Sequence, residues 1–383
     1  MYADRTILSP VQGLIREEFA LNNAEVGLVS SVFFLVYTLV QIPSGLLGDR
    51  FGRTKIIFIG FLIFGFSTAL TGLVASFSML LLVRVMAGFG EGFYYGPQYA
   101  VSTESTPEQF RALGYAIINS GQAFGISLGL IGSSYIAFEL NHGWRMSFYL
   151  FAIPTLLVGL LILLFVKDGV KAKKTTATEG TTKAGSTASV LEILKNANLT
   201  KIFFVEFCSV YGFFVMVTWL PLYLFEVHHI PHEQTGAISS LVAWTSIPAA
   251  LLIARVSDKL KARKSLLLLL IPIAILSVLS LTVVSSWSLM IASLVLYGVV
   301  GKLACDPLLL ALTSDHAPKD KMSTVYGMYN CIAMIGAILA PYLTGWLKDS
   351  TSSFNSGFYL SIVLLALGWF ATLSITKPKT PAP

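Results

Sequence analysis

The sequence has little charge: Asp, Glu, Lys and Arg make up 12% of its 383 residues, whereas 55% of the residues are hydrophobic. Soluble domains average about 25% charged residues, so the composition excludes a soluble globular protein. The chain instead contains repeated apolar runs of about 20 residues, the length of a helix that crosses the hydrocarbon core of a bilayer. The composition therefore predicts an all-α membrane protein.

Cysteines and enzyme motifs are also scarce. Cys208, Cys305 and Cys331 fall within apolar runs and lack the spacing of metal ligands, so we interpret them as packing residues. The chain has no phosphate-binding glycine loop, zinc-protease motif or nucleophile elbow. We therefore predict that the protein is not an enzyme and holds no cofactor and no metal.

The positive charge has an uneven distribution. The formal net charge is +6, and the Lys and Arg residues concentrate in the loops on one side of the predicted spans. This positive-inside pattern assigns the basic side to the cytoplasm, so the basicity orients the protein in the lipid bilayer and does not indicate a nucleic acid partner. We predict a monomeric, multi-pass protein of the cytoplasmic membrane, with both termini of the full-length protein in the cytoplasm.

Twelve spans are predicted, in two bundles. The first, 1–19, is short and charged, and we expect it to be the outer part of a helix whose cytoplasmic half is missing, through a start-site error or a truncation. A linker rich in Thr, Lys, Gly and Ser separates the bundles. The predicted regions are an N-terminal bundle at 1–166, the cytoplasmic linker at 167–199, a C-terminal bundle at 200–377 and a tail at 378–383. The other spans lie at about 24–47, 56–75, 79–101, 112–138, 146–166, 200–225, 235–257, 265–284, 288–312, 324–347 and 357–376.

The two bundles resemble each other in sequence. A shift of 211 residues aligns Asn119 with Asn330 and Gly125 with Gly336. Two parallel six-helix repeats joined by a cytoplasmic linker are typical of a transporter whose binding site lies near the middle of the membrane. Asn119 and Asn330 are candidates to bind substrate hydroxyls, or else to hydrogen-bond neighbouring helices.

Charged residues inside the spans mark the candidate site. A charge at membrane depth costs about 2.5–3.5 kcal/mol on insertion scales, so such residues face a protein interior or a watery cavity. Arg84 and Glu91 are seven residues apart, nearly two helical turns, which places both on one helix face about 10 Å apart along the axis. Lys302 and Asp306 lie one turn apart. They either neutralise each other, or Lys302 faces the cavity as the repeat counterpart of Glu91 and binds the substrate or Glu91.

A family resemblance follows from the loop after the second span. The sequence GDRFGRTK at 48–55 resembles the signature loop of the major facilitator superfamily, and SDKLKARK at 257–264 resembles its second copy. The resemblance implies two pseudo-symmetric six-helix bundles. It also implies a gating motif formed by Gly48, Asp49, Arg50, Gly52, Arg53 and Asp258.

Within that superfamily the chain is similar to the anion:cation symporter family. The similarity rests on Asp4-Arg5 in the first span, Arg84 and Glu91 in the fourth, Gln122 in the fifth, and Gly-Trp-Arg at 143–145. It implies that Asp4 and Glu91 carry protons. It also implies a substrate site that includes Arg5, Gln122, Tyr2 and Tyr37.

These observations predict proton-coupled uptake of a small organic anion, such as a sugar acid, by alternating access. A guanidinium in a low-dielectric cavity matches a carboxylate bidentately, although Arg5 and Arg84 could instead be structural partners of Asp4 and Glu91. Of the two arginines, we expect Arg84 to act chiefly by setting the pKa of Glu91. The alternatives are an organophosphate or other anion exchanger, a drug:proton antiporter, and a transporter-like sensor.

Overall fold

The structure is a computed structural model that describes residues 1–94, 97–98, 111–166, 192–260, 262–284, 286–318 and 322–376. Of residues 42, 45, 46, 49, 111–119, 258, 322 and 323 it describes the backbone alone. Most of the predicted linker and the tail therefore lie outside the described residues.

Helices account for nearly all of the described residues, which contain no β-strand. The helices are α1 Tyr2–Thr6, α2 Leu8–Glu18, α3 Asn23–Phe51, α4 Arg53–Thr71, α5 Phe77–Gly92, α6 Arg111–Ser134, α7 Gly143–Phe165, α8 Ala197–Glu226, α9 His232–Leu260, α10 Arg263–Val283, α11 Trp287–Val300, α12 Lys302–His316, α13 Met322–Thr351 and α14 Asn355–Leu373. A short π-helix, Tyr135–Glu139, extends α6.

The helices agree with the predicted spans. Nine stretches of the described chain are long and apolar enough to cross a membrane. Only Ile7, itself in a helical conformation, separates α1 from α2, and only Gly301 separates α11 from α12. With each of these pairs taken as one span, the described helices match the twelve predicted spans, which confirms the helical membrane fold.

The break at Gly301 was not predicted, since the sequence indicated one continuous helix over 288–312. Gly301 has an extended backbone, with φ −77° and ψ −165°. An added Cβ would lie 2.5 Å from the carbonyl oxygen of Tyr297, so only glycine fits this bend without strain. The tenth span is therefore two helices that meet inside the membrane region.

The chain divides into two compact units. Unit 1 contains Met1–Glu179 and Val217–Ser240, and unit 2 contains Gly180–Met216 and Leu241–Pro383. The helices α8 and α9 thus contribute residues to both units.

Unit 1 is built around the first span. In α2, Leu8, Val11 and Ile15 are almost fully buried, and they belong to one apolar cluster with Leu80 of α5 and Phe148 of α7. The inner faces of three spans therefore meet along α2. The core fixes the position of α1, which continues α2 and carries Asp4 and Arg5.

Local sequence signals explain how helices in unit 1 begin and end. The Asn22 side chain accepts a hydrogen bond from the Glu25 backbone, and the Glu25 side chain accepts one from the Asn22 backbone. This reciprocal capping box starts α3. At the other end, Gly52 has φ 99°, a conformation that other residues adopt only at a cost. It turns the chain sharply from α3 into α4.

One pair of repeat-related glycines has the same packing role in each unit. A Cβ added to Gly125 of α6 would lie 2.9 Å from Tyr2 Cβ of α1, and one added to Gly336 of α13 would lie 2.8 Å from the carbonyl oxygen of Phe207 in α8. In each unit, the fifth span therefore approaches the first span closely at a glycine, as in other membrane helix pairs.

Candidate functional site

The first span reaches the centre of unit 1 through its contact with α6. A Cβ on Gly129 would overlap Ala3 O and Thr6 Oγ1, and Thr6 Oγ1 donates a 3.1 Å hydrogen bond to the carbonyl of Ile126. Because α1 lies directly on the α6 backbone, this contact fixes where the side chains of Asp4 and Arg5 lie along α6.

Arg5 and Glu91 form a buried ion pair. Arg5 Nε lies 2.7 Å from Glu91 Oε1, and the two side chains are 9% and 2% exposed. The position of Glu91 depends on close packing of α5 against α3, since a Cβ on Gly88 would overlap the carbonyl oxygen of Phe33. Among the described residues, Glu91 Oε2 has no hydrogen-bond partner. The pair therefore leaves one buried carboxylate oxygen unsatisfied, an arrangement that usually has a functional reason.

Aromatic rings surround the Arg5 guanidinium. Its Cζ atom lies 4.4 Å from the ring centroid of Tyr37, 4.7 Å from that of Tyr2, and 5.8 and 5.9 Å from those of Phe34 and Phe33. These distances fall within the range of cation–π attraction, which strengthens when the cation is desolvated. The rings fix the guanidinium and supply flat apolar walls next to it.

Asp4 is held separately from the Arg5–Glu91 pair. Thr155 Oγ1 of α7 lies 3.0 Å from both Asp4 carboxylate oxygens. The sequence did not single out Thr155, because a lone threonine in an apolar span is common. The two predicted proton carriers thus differ in environment, since Asp4 bonds a hydroxyl and Glu91 a guanidinium.

A cavity of about 430 Å³ connects these groups. Its walls include Tyr2, Asp4, Arg5, Tyr37, Glu91 and Gln122. Six of the predicted site residues therefore line one cavity within unit 1. Its volume is within the usual range for sites that bind small molecules, and its wall combines apolar rings with few charged groups.

Arg84 lies elsewhere on α5. It is absent from the described cavity wall, and its Cζ atom lies 5.4 Å from the ring centroid of Phe148. Among the described residues, Arg84 Nε and Nη2 have no hydrogen-bond partner, although Asp4 and Glu91 lie within electrostatic range. This position supports an electrostatic effect of Arg84 on the carboxyl groups of Asp4 and Glu91. Direct contact between Arg84 and the substrate remains a prediction.

The remaining predicted residues are more widely spread. The side chains of Asn119, Asp49 and Asp258 lie outside the described residues, and Asn330 is half-buried on α13. In the predicted gating loop, Gly48 accepts the 3.0 Å hydrogen bond from the Gly52 backbone. Arg50 is exposed and Arg53 half-buried. The role of this loop stays a prediction.

The C-terminal end of the first span is tied to α7. Arg145 donates two hydrogen bonds to Glu18, of 2.5 and 2.7 Å, and Trp144 Nε1 donates a third, of 2.7 Å. Glu18 therefore accepts hydrogen bonds from two neighbouring residues of α7. The Trp-Arg dipeptide that carried part of the family resemblance therefore anchors the span that bears Asp4 and Arg5.

Unit 2 contains a charged cluster that the sequence reading identified only in part. Lys302 Nζ lies 3.2 Å from Asp306 Oδ2 and 3.8 Å from Glu206 Oε1. The Lys302–Asp306 pair was one of the two predicted alternatives. Glu206 of α8 was missed, although a carboxylate inside the apolar sequence FFVEFC was a signal of the same kind as Glu91.

Paired charges in the wall of a cavity within a helical membrane bundle are typical of membrane transport proteins. A model of the Major Facilitator Superfamily matches residues 1–340 and 202–383. The chain therefore belongs to the Major Facilitator Superfamily, as its signature loop suggested.

Relatives within the family transport organic anions, by their names. The chain is 25% identical to the hexuronate transporter of Bacillus subtilis (strain 168), over 98% of this chain and 92% of that protein. It is 27% identical to a probable sulfoacetate transporter of Cupriavidus necator, over 99% and 91%. It is 24% identical to a mouse voltage-gated purine nucleotide uniporter, over 96% and 85%.

A solved structure supports the fold. A bacterial homologue of the human lysosomal transporter Spinster superposes with a TM-score of 0.83 and 20% identity, covering 100% of this chain and 96% of that one. This likeness supports the fold described above.

Proposed function

We propose that the protein is a secondary active transporter that carries an organic anion, a sugar acid or a related carboxylate, into the cell together with protons. The observation that supports this most strongly is the Arg5–Glu91 ion pair in the wall of the cavity. It joins a cation suited to a substrate carboxylate with a carboxylate able to bind a proton.

The coupling follows from competition for one guanidinium. A substrate carboxylate that binds Arg5 bidentately displaces Glu91, or shares Arg5 with it. An ionised carboxylate left without its partner in a desolvated site is strongly disfavoured, so Glu91 binds a proton instead. Substrate binding and proton binding thereby favour each other, as symport requires. Asp4, held by Thr155, is the proposed second proton carrier.

The rest of the cavity suits a hydroxylated anion. Gln122 supplies an amide that can hydrogen-bond substrate hydroxyls, and Tyr2 and Tyr37 supply ring faces next to Arg5. The names of the hexuronate relative and of a probable galactarate/D-glucarate transporter, 26% identical to this chain, support a sugar acid. The basic loops support insertion into the cytoplasmic membrane with those loops inside.

A second candidate function is uniport of a phosphate-bearing anion, which the similarity to the purine nucleotide uniporter favours. An arginine binds phosphate as readily as carboxylate. The two candidates respond to voltage in opposite ways. An anion that moves alone is drawn towards the positive side, whereas a monoanion carried with two protons moves as a net positive charge.

The test is uptake into proteoliposomes of D-glucuronate, D-galactarate, sulfoacetate and ATP. Each probe is given with an imposed proton gradient, with an inside-negative potential, and with an inside-positive potential. Symport predicts accumulation of a sugar acid under the inward proton gradient. Accumulation of ATP under an inside-positive potential, without any response to pH, would support the second candidate and contradict the first.

A further inference from the structure

The charged cluster in unit 2 has one more acid than base. Glu206 is 2% exposed, Lys302 is 13% exposed and Asp306 is 24% exposed, and both carboxylates lie within 4 Å of the single ammonium group. If both acids were ionised, the cluster would hold one uncompensated negative charge in a low-dielectric region. Such a charge is strongly disfavoured unless it is paired or neutralised by a proton.

Glu206 is the more deeply buried of the two acids, and its side chain contacts both Tyr329 and Asp306. Tyr329 donates a 3.4 Å hydrogen bond to Asp306 Oδ1, and Asp306 is also nearer to Lys302. Glu206 Oε2 has no hydrogen-bond partner among the described residues. Cys305 and Tyr329 are the other titratable groups within electrostatic range of Glu206. Of these groups, the buried and incompletely bonded Glu206 is the site where a bound proton relieves the largest charge cost.

The surrounding backbone and space suit a small ligand. The break between α11 and α12 at Gly301 directly precedes Lys302, and discontinuous membrane helices commonly border ion sites. A cavity of about 20 Å³ lies beside Lys302, Cys305 and Gly301, and this is room for about one water molecule. The Lys302 ammonium occupies the centre of the cluster, where a metal cation would otherwise bind. The ligand that fits is therefore a proton.

The cluster is a charge-reversed counterpart of the Arg5–Glu91 pair. In unit 1 the first span carries the cation and the fourth span the carboxylate. In unit 2 the first span, α8, carries Glu206, and the fourth span, α11 with α12, carries Lys302. The repeat relates Lys302 to Glu91 by the shift of 211 residues. Each unit by itself thus contains one buried acid–base pair between the same two spans.

We propose that Glu206, Lys302 and Asp306 form a second proton-binding site, in which Glu206 binds and releases the proton and Lys302 stays charged. The proton comes from water and is held by the Glu206 carboxylate. Its use in transport rests on the proposed symport function, whereas proton binding itself does not.

Proton binding is tested without any substrate. The whole chain is reconstituted in liposomes, and infrared difference spectra are recorded between acidic and alkaline pH. We expect the wild type to show a carboxyl band that Glu206→Gln lacks, whereas Glu233→Gln, which removes an exposed acid, leaves that band in place. Lys302→Gln should shift the pH at which the Glu206 band changes. The proposal is overturned if Glu206→Gln retains every band, or if Lys302→Gln leaves every titration unmoved. Should Glu206→Gln fail to fold, the Lys302→Gln titration decides alone.

A transport measurement then tests the use of this proton, with D-glucuronate as the probe. Glu206→Gln should retain counterflow exchange and lose accumulation, by about tenfold for each unit of imposed pH gradient if one coupled proton is lost. Unchanged accumulation would overturn the role in coupling. If the wild type itself transports no sugar acid, the proposed function fails, and the infrared result still decides whether the proton site exists.

Discussion

Arg5 combines an ion pair with contacts to several aromatic rings, and both depend on the shape of its side chain. Its Nε donates to Glu91 while its Cζ lies over the rings of Tyr37 and Tyr2. A planar guanidinium can stack on a ring and donate hydrogen bonds in its plane at the same time, and a lysine ammonium cannot. The residue therefore matters for its geometry as well as for its charge.

Arg5→Lys tests this geometry. We expect uptake of the transported sugar acid to fall at least about tenfold at low substrate concentration, which corresponds to about 1.4 kcal/mol, because the bidentate contact and the stacking are lost while the charge is kept. The measurement is the initial rate of uptake into proteoliposomes over a range of concentrations. Arg255→Lys, which changes an exposed arginine on α9, is the control and should behave as the wild type. A wild-type KM for Arg5→Lys would contradict the role of Arg5 in substrate binding.

Single residues were predicted best where their chemistry is rare in a membrane span. Asp4, Arg5 and Glu91 stood out because charges inside apolar runs are costly, and all three line the cavity. Thr155 was not identified, because its importance depends on Asp4 lying opposite, which is a tertiary contact. Glu206 could have been identified by the same rule as Glu91.

At the scale of helices, the position of α1 depends on a tight contact with α6. Thr6 and Ala3 lie against Gly129 so closely that an added Cβ would overlap both. The same short helix carries Asp4 and Arg5. Gly129 therefore affects both the stability of the protein and the geometry of the cavity.

Gly129→Ala should destabilise the protein by about 1–3 kcal/mol, the usual cost of overpacking, and should lower both the melting temperature in detergent and the rate of uptake. Gly121→Ala is the matched control on the same helix, since an added Cβ there has no neighbour within 4 Å. Replacing that helical glycine should leave the melting temperature unchanged or raise it. Equal melting temperatures for the two variants would show that the α1–α6 contact does not limit stability.

Helix positions were largely predictable from hydropathy, and the exceptions have physical causes. The break at Gly301 was missed, because a glycine in an apolar run is compatible with a continuous helix. Arg84 and Glu91 were expected to share one cavity face. Their spacing of about 10 Å along the axis is enough for Glu91 to line the cavity while Arg84 lies over Phe148. Helical periodicity predicts which residues share one face of a helix, but it does not predict how far a cavity extends along that face.

At the scale of the whole molecule, the two six-helix bundles were predictable from the repeat and the signature loop, and the family model confirms the superfamily. Each unit separately contains a buried acid–base pair between its first and fourth spans, with the signs exchanged. If two protons accompany one monoanion, each cycle moves one net positive charge inward. The membrane potential then contributes about 2.3 kcal/mol per 100 mV.

The central claim is that substrate binding at Arg5 is coupled to proton binding at Glu91. The most direct measurement is the pH inside proteoliposomes that contain a pH-sensitive dye, after D-glucuronate is added outside without an imposed gradient. We predict that the wild type acidifies the interior and that Glu91→Gln acidifies it less for the same amount of substrate taken up, because only the proton carried by Asp4 remains, although Glu91→Gln still exchanges labelled for unlabelled substrate. Equal acidification by the wild type and Glu91→Gln would contradict the coupling at Glu91.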